Sequence, residues 1–165
     1  MGPRGEQRSP AAQRLIASGA LNLLRIRPMA DQKTIELLKQ VPLFSDLEGR
    51  ELEQVAESMK RREFSAGQEI AREGESGVGF FVIEDGNAKV TVHGDERRRL
   101  GTGDYFGEIA LIAQGARTAT VTAESDLVAH GMTFWDFRPL VGGNASIAWK
   151  LLQAFAKTYG QDETS

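Results

Sequence analysis

One segment of the chain combines the residue types that suit a phosphate joined to a sugar. It runs from Phe106 to Val121 and reads FGEIALIAQGARTATV. Gly107 frees the backbone to turn tightly, and Ile109 to Ile112 can form one helical turn whose first N–H groups meet an anion. Arg117 offers a planar pair of donors to phosphate oxygens, while Glu108 accepts a hydrogen bond from a hydroxyl group. On these two side chains alone, an ion pair that braces a loop is the slightly favoured alternative.

The rest of the composition argues against catalysis. The chain has 165 residues, no cysteine and only two histidines, His93 and His130. This excludes disulfides, thiolate zinc sites and cysteine nucleophiles, and two histidines are too few for a metal cluster. No glycine-rich loop with its lysine and no serine nucleophile with a histidine base is recognisable, so we expect no enzyme and no cofactor. The triplet Arg97–Arg99 could contact an anion, but a solvated strand edge that discourages pairing between sheets is the favoured interpretation.

Length and charge indicate one globular domain. Hydrophobic residues make up 41% of the chain and charged residues 26%, close to globular averages. The sequence has no apolar stretch long enough to span a bilayer and no signal-peptide pattern. A net charge of −3 provides no basic field for nucleic acid or an anionic membrane surface. We therefore expect a cytoplasmic protein that does not bind nucleic acid directly.

The first 30 residues differ from the rest of the chain. They hold five arginines and one glutamate, and apolar residues recur at helical spacing between Ala12 and Leu24. One interpretation is a weak amphipathic helix for a membrane surface, for targeting or for a partner. A poorly ordered N-terminal extension is the favoured interpretation. A third hypothesis is that translation naturally starts at Met29, directly before a helical pattern.

Residue spacing predicts helices at both ends and strands between them. The first helix covers 31–38, and Ser45 with Glu48 forms a capping box for a second helix over about 47–59. The predicted strands are 62–64, 69–72, 80–84, 88–93, 97–100, 118–123 and 126–132. Asp85-Gly86 and Gly94-Asp95 are predicted hairpin turns. The short, regularly spaced strands favour a small antiparallel barrel or jelly roll.

Two helices are predicted after the strands. Thr133 caps the first, which covers Phe134 to Leu140 and places Trp135 and Phe137 in the core. Asn144 caps the second helix. Its apolar stripe consists of Ile147, Leu151, Leu152 and Phe155.

The segment at 106–121 closely resembles the phosphate-binding cassette of the cyclic nucleotide-binding domain family. The family pattern F-G-E-[LI]-A-L, a short spacer and R-[AT]-A is matched by Phe106–Leu111 and Arg117–Ala119. Phe64–Ile70, Phe81–Gly86 and Gly103–Phe106 also resemble family motifs, in the same order. The resemblance covers about residues 41–157 and implies a cyclic nucleotide-binding domain over 31–160, followed by a tail at 161–165. It implies an antiparallel β-roll with N-terminal helices, a short phosphate-binding helix and C-terminal lid helices.

The same resemblance implies roles for the cassette residues. Glu108 would accept a hydrogen bond from the ribose 2′-hydroxyl, and Arg117 would bind the cyclic phosphate. The remaining ligand-binding positions would be Gly107, Ile109, Ala110, Thr118 and Ala119. Threonine at position 118 occurs in members that prefer cGMP and also in several that bind cAMP. Thr118 therefore says little about the base. The frequency of the two ligands in the family favours cAMP, with cGMP as the alternative.

The purine base would be capped by an aromatic ring from the last helix. Tyr159 is favoured for this role over Phe155 and Trp149, although packing against the roll is the more common role for each ring. The sequence departs from the family at Val78-Gly79, where many members carry an acidic or serine-type residue. It also carries Ala116 where proline is usual, which leaves the loop less pre-organised.

These expectations describe a stand-alone cyclic nucleotide sensor. Only Gly160 to Ser165 follow Tyr159, which leaves no room for the winged helix of the family's transcription factors. In the family's usual mechanism the ligand draws the C-terminal helices over the roll as a lid, here 134–140 and 144–159 with a hinge at Gly142-Gly143. An unidentified effector protein or self-association would read the signal. The alternative is a non-binding scaffold that keeps the β-roll.

Overall fold

A computed structural model describes residues 30–77 and 79–160 of the chain. The expectations for the N-terminal segment up to Met29 and for the tail at 161–165 lie outside the described residues. No described helix is both long enough and apolar enough to cross a membrane. In chain order the elements are α1 (Gln32–Lys39), a first 3-10 turn (Pro42–Phe44), α2 (Arg50–Glu57), β1 (Lys60–Phe64), β2 (Glu69–Ala71), β3 (Ser76–Gly77), β4 (Gly79–Asp85), β5 (Ala88–Val92), β6 (Asp95–Leu100), β7 (Tyr105–Phe106), a second 3-10 turn (Glu108–Leu111), β8 (Gly115–Ala116), β9 (Thr120–Ala123), β10 (Leu127–Thr133), α3 (Phe134–Gly143) and α4 (Ala145–Tyr159).

Antiparallel pairing arranges the described strands in two four-stranded sheets and one two-stranded ribbon. The sheet orders are β1-β10-β4-β7 and β2-β9-β5-β6, and β3 pairs with β8. The predicted fold class, a mainly β antiparallel roll with flanking helices, is therefore confirmed. The ribbon lies directly before the predicted phosphate-binding arginine and so fixes where that residue enters the roll.

Two apolar cores hold the fold together. One lies inside the roll, between the two sheets, and contains Ile83, Phe106 and Val121. The other joins the helices to the roll, with side chains from α1 to α4, from β4 and from the second 3-10 turn. Leu111 is the buried residue that this turn contributes, so the turn and the C-terminal helices share one core.

The predicted capping box at Ser45 is wrong. The Ser45 hydroxyl instead donates to the carbonyl oxygen of Pro42 at 2.8 Å, at the end of the first 3-10 turn. Helix α2 begins only after Gly49, which has a φ of 52° and makes no side-chain cap. The chain must make this left-handed turn before it can enter the helix, so α2 covers 50–57 and not 47–59.

The two predicted hairpins have different outcomes. Asp85-Gly86 is not a hairpin turn, because β4 pairs with β10 and β7 while β5 pairs with β6 and β9. This segment instead crosses from one sheet to the other. The hairpin between β5 and β6 is confirmed, but its turn is His93-Gly94, with φ values of 54° and 83°, one residue earlier than predicted.

Both predicted caps of the C-terminal helices are confirmed. Thr133 and Asp136 form a capping box at the start of α3, and Asn144 accepts hydrogen bonds from the first amides of α4. Helix α3 continues through Gly143, so the predicted hinge at Gly142-Gly143 lies within its last turn. Asn144 is the single residue between the two helices.

The predicted apolar stripe and core of these helices are only partly correct. Phe137, Ile147 and Leu151 are buried. Trp135 and Leu152 are instead 60% and 58% exposed, because they lie on the outer faces of their helices.

A buried polar network fastens α1 to the sheet. His130 on β10 is 4% exposed, and its Nε2 lies 2.5 Å from Oε2 of Glu84 on β4. Its Nδ1 lies 3.3 Å from the hydroxyl oxygen of Thr34 on α1. Lys33 donates to the other carboxylate oxygen of Glu84 at 2.8 Å. The carboxylate of Glu84 accepts these hydrogen bonds from Lys33 and from His130, and they hold its pKa below its usual value.

We expect Glu84→Gln to reduce the loss of stability in acid. A carboxyl with a lowered pKa in the folded state stabilises the protein above its unfolded pKa of about 4.3, and this contribution disappears as the pH falls through the folded pKa. Urea unfolding at several pH values should give a shallower acid slope for Glu84→Gln than for the wild type. Glu57→Gln, at an exposed residue without an ion pair among the described residues, is the control. Equal slopes for the wild type and Glu84→Gln would contradict the prediction.

Candidate functional site

The second 3-10 turn presents part of the predicted cassette to one cavity. Gly107 precedes it with a φ of 84°, a conformation that glycine adopts at little cost. Within the turn, the Ala110 amide donates to the carbonyl oxygen of Gly107 at 3.1 Å. Leu111 anchors the turn in the core, whereas Ile109 is 52% exposed. Anchored on one side, the turn holds Glu108 at the cavity.

The short ribbon positions Arg117. Its backbone amide donates to the carbonyl oxygen of Glu75 at 2.8 Å, and its carbonyl oxygen accepts from the amide of Gly74 at 2.8 Å. Its side chain is half-buried, and Nη2 donates to the carbonyl oxygen of Gly79 at 2.7 Å. Burial lowers the pKa of this guanidinium. Arg117 makes no ion pair with any residue that the structure describes.

The ion pair between Glu108 and Arg117 that the sequence slightly favoured is absent. Glu108 Oε1 instead accepts a hydrogen bond from the Tyr159 hydroxyl at 2.8 Å. Burial, with a smaller contribution from this bond, raises the pKa of Tyr159. The carboxylate and the guanidinium are therefore not neutralised by each other. In residues 30–77 and 79–160, no three histidine or acidic side chains lie close enough to hold a metal ion.

Six of the seven predicted ligand-binding residues line one cavity of about 210 Å³. Ala110 is the exception, since it does not line the cavity. The polar wall combines the Glu108 carboxylate with the Arg117 guanidinium, and side chains such as Val90 and Val121 add apolar surface. The full lining is Ala71, Val90, Arg98, Phe106, Gly107, Glu108, Ile109, Arg117, Thr118, Ala119 and Val121.

Arg98 also lines this cavity, although a contact of the triplet Arg97–Arg99 with an anion was the less favoured interpretation of the sequence. The triplet Arg97–Arg99 does lie on an exposed edge strand, as predicted. Arg98 nevertheless lines the cavity, while Arg99 binds Glu96 and Glu124. Neighbouring residues of a strand point to opposite faces. The register that places Arg98 opposite Val90 would have revealed its position, but a single strand does not contain that information.

The three predicted base-capping rings lie in different places. Tyr159, in the last turn of α4, reaches the cavity through its bond to Glu108. Phe155 packs on Tyr159 with ring centroids 4.5 Å apart and lines a separate apolar groove of about 560 Å³. Trp149 is 61% exposed and is not part of the cavity lining. Only Tyr159 is therefore brought directly to the predicted ribose-binding carboxylate.

Sequence relatives share this cassette region. Residues 61–141 match the family described as "Cyclic nucleotide-binding domain". The cAMP-dependent protein kinase regulatory subunit of Mycosarcoma maydis is 37% identical over 137 residues, which are 77% of this chain and 25% of that protein. The chain thus spans about a quarter of the length of such curated relatives.

Solved structures share the fold. The N-terminal domain of a transcriptional regulator from Streptomyces coelicolor A3(2) has a TM-score of 0.72 over 77% of this chain and 92% of that one, and at 24% identity it shows the fold alone. The regulatory domain of Toxoplasma gondii PKA, crystallised with cAMP, has a TM-score of 0.61 and 28% identity over 66% of this chain and 43% of that one. With the cassette, the roll and the family match in agreement, residues 61–141 of the chain form a domain of the cyclic nucleotide-binding domain family.

Proposed function

We propose that the chain is a cyclic nucleotide sensor that binds cAMP through this cavity. The observation that carries the proposal is Arg117, a half-buried cation in the cavity wall without an ion pair among the described residues. A partly desolvated charge gains most from a counter-charge, and a guanidinium matches two phosphate oxygens. The Toxoplasma gondii relative was crystallised with cAMP, which supports this ligand.

Glu108 is proposed to bind the ribose. A carboxylate accepts several hydrogen bonds, so the 2′-hydroxyl can share it with the Tyr159 hydroxyl. The Tyr159 ring then lies where it can stack on the purine. Phe155 supports this ring from behind, and Trp149 would reach the base only after a larger movement of α4.

The base extends beyond the cavity in this proposal. A volume of about 210 Å³ is below the roughly 300–1,000 Å³ of typical small-molecule sites, so it suits the sugar and phosphate better than the whole nucleotide. Arg98 and Thr118 line the cavity with exposed side chains. Arginine pairs well with the O6 and N7 acceptors of guanine, whereas adenine offers one acceptor and one donor on that edge. These two side chains make cGMP the second candidate ligand.

The signal is proposed to be a movement of α3 and α4. Leu111 of the cassette packs in the same core as Phe137, Ile147 and Leu151 of these helices, and Tyr159 ties the end of α4 to Glu108. A ligand moves the helices only if it binds one arrangement better, with a typical coupling of about 1 to 3 kcal/mol. We propose that an effector protein or a second copy reads the movement. The cytoplasmic location stays a prediction.

We expect Arg117→Ala to lose most of the affinity for the cyclic nucleotide. Removing the charged partner of the phosphate should cost about 1.5 to 3 kcal/mol, which is roughly a ten- to hundredfold weaker Kd. Isothermal titration of cAMP into the full chain measures this, with Arg61→Ala, at an exposed residue bound to Glu63, as the control. Equal affinities of Arg117→Ala and the wild type, or no binding by the wild type, would favour the non-binding scaffold.

The same titration with cGMP assigns the base. If Arg98 contacts guanine, Arg98→Ala should weaken cGMP binding about tenfold and leave cAMP binding nearly unchanged. Arg99→Ala, one residue further along β6, is the matched control because that side chain binds Glu96 and Glu124. An equal loss of affinity for both nucleotides would show that Arg98 attracts their negative charge and does not distinguish the bases.

We expect Tyr159→Phe to loosen the end of α4 in the ligand-free protein. The change keeps the ring and removes one hydrogen bond to a carboxylate in a partly exposed place, worth about 1 kcal/mol. Amide hydrogen exchange in residues 155–160 should become about fivefold faster. Thr158→Ala removes a hydroxyl bond to Ala154 within the same helix and is the control. Unchanged exchange in Tyr159→Phe would show that this bond does not hold α4 on the cassette.

We expect ligand binding to change amide-exchange protection in α3 and α4 together. The reason is the core that these helices share with Leu111. Exchange measured with and without saturating cAMP should differ over 134–159, while the network around His130 keeps its protection. Identical protection of 134–159 in both states would rule out the proposed lid movement.

A further inference from the structure

We propose that Gly77 is a positioning residue that keeps the Arg117 guanidinium at the cavity wall, an inference that rests on the proposed function. Gly77 is buried in β3. A Cβ at this position would overlap Nε and Cδ of Arg117 and lie 2.6 Å from Cζ. The φ of Gly77 is not in the left-handed region, so its lack of a side chain serves space and not conformation.

Gly79 and Gly107 also border the narrow space that holds the Arg117 side chain. We call this space, bounded by Gly77, Gly79 and Gly107, the slot. The Gly79 carbonyl oxygen accepts from Nη2 at 2.7 Å. A Cβ at Gly107 would overlap that same carbonyl oxygen and lie 2.6 Å from Nη1. Gly107 also has a φ of 84°. A side chain at this position is therefore excluded both by these close contacts and by the backbone conformation. Gly77 is therefore the position where the slot can be tested by volume alone.

The slot replaces an ion pair as the means of holding Arg117. A free arginine side chain has many rotamers, and a bound carboxylate is the usual partner that restricts them. Arg117 has no such partner among the residues that the structure describes, so backbone walls and one carbonyl restrict it. A methyl group at position 77 would force the guanidinium to leave this place.

The partner strand provides a matched control. Gly115 lies directly opposite Gly77 in the β3–β8 ribbon. A Cβ at Gly115 would meet nothing within 4 Å, and its φ is also outside the left-handed region. Gly115→Ala therefore makes the same chemical change in the same ribbon without touching Arg117.

The test is a double-mutant cycle on the full chain, with titration of cAMP and cGMP and thermal unfolding of each variant. We expect Gly77→Ala to weaken nucleotide binding about tenfold or more, and Gly115→Ala to change it less than about twofold. Gly77→Ala combined with Arg117→Ala should bind no more weakly than Arg117→Ala alone, since the methyl group then meets no guanidinium. A merely structural role would instead make the two losses additive.

Thermal unfolding separates this inference from the proposed function. Gly77→Ala should lower the Tm in the wild-type background and have a much smaller effect in the Arg117→Ala background. This difference in Tm would support the slot whether or not the wild type binds a nucleotide. Absence of nucleotide binding by the wild type would overturn the proposed function and leave the slot standing. An equal loss of Tm in both backgrounds, or wild-type nucleotide affinity in Gly77→Ala, would overturn the slot. If Gly77→Ala fails to fold, recovery of folding with Arg117→Ala supports it, and failure in both backgrounds overturns it.

Discussion

The half-buried guanidinium of Arg117 lies against backbone, and this contact joins the segment at residues 77–79, the turn at Gly107 and Arg117 itself, which are distant from one another in sequence. It touches the end of β3, the first residue of β4 and the turn after β7. Any movement of one of these segments changes the space around the cation. A cation enclosed by carbonyl and glycine surface keeps its charge available for an anion, whereas one paired with a carboxylate would have to share it.

The second constraint is Leu111, which connects the cavity to the helices. The turn that presents Glu108 is only four residues long, and Leu111 is its buried residue. Its side chain belongs to the same core as Phe137, Ile147 and Leu151, so the helices and the turn at the cavity form one packed unit. Close-packed interiors transmit small displacements because they have few voids. A change at Glu108 can therefore reach α3 and α4 without a dedicated pathway.

The sequence predicted those features that depend on local chemistry. The caps at Thr133 and Asn144 were correct because each side chain bonds to amides within its own first turn. The same rule failed at Ser45, where the left-handed turn at Gly49 delays the helix. Features that depend on strand pairing were not predictable: Asp85-Gly86 has the composition of a hairpin, yet it joins two sheets. Arg98 likewise reaches the cavity only through its register with Val90.

Helix α4 also touches the N-terminal helical part of the chain through charged side chains. Lys150 lies 2.6 Å from Glu51 on α2, and Lys157 lies 3.3 Å from Asp46. Such pairs on a protein surface are weak and become weaker as salt shortens the range of electrostatic attraction. Apolar packing in the shared core holds α4 in place, and these ion pairs add a smaller contribution that depends on salt. A higher ionic strength is therefore expected to weaken the attachment of α4 to the N-terminal helical part, at a place separate from the cavity.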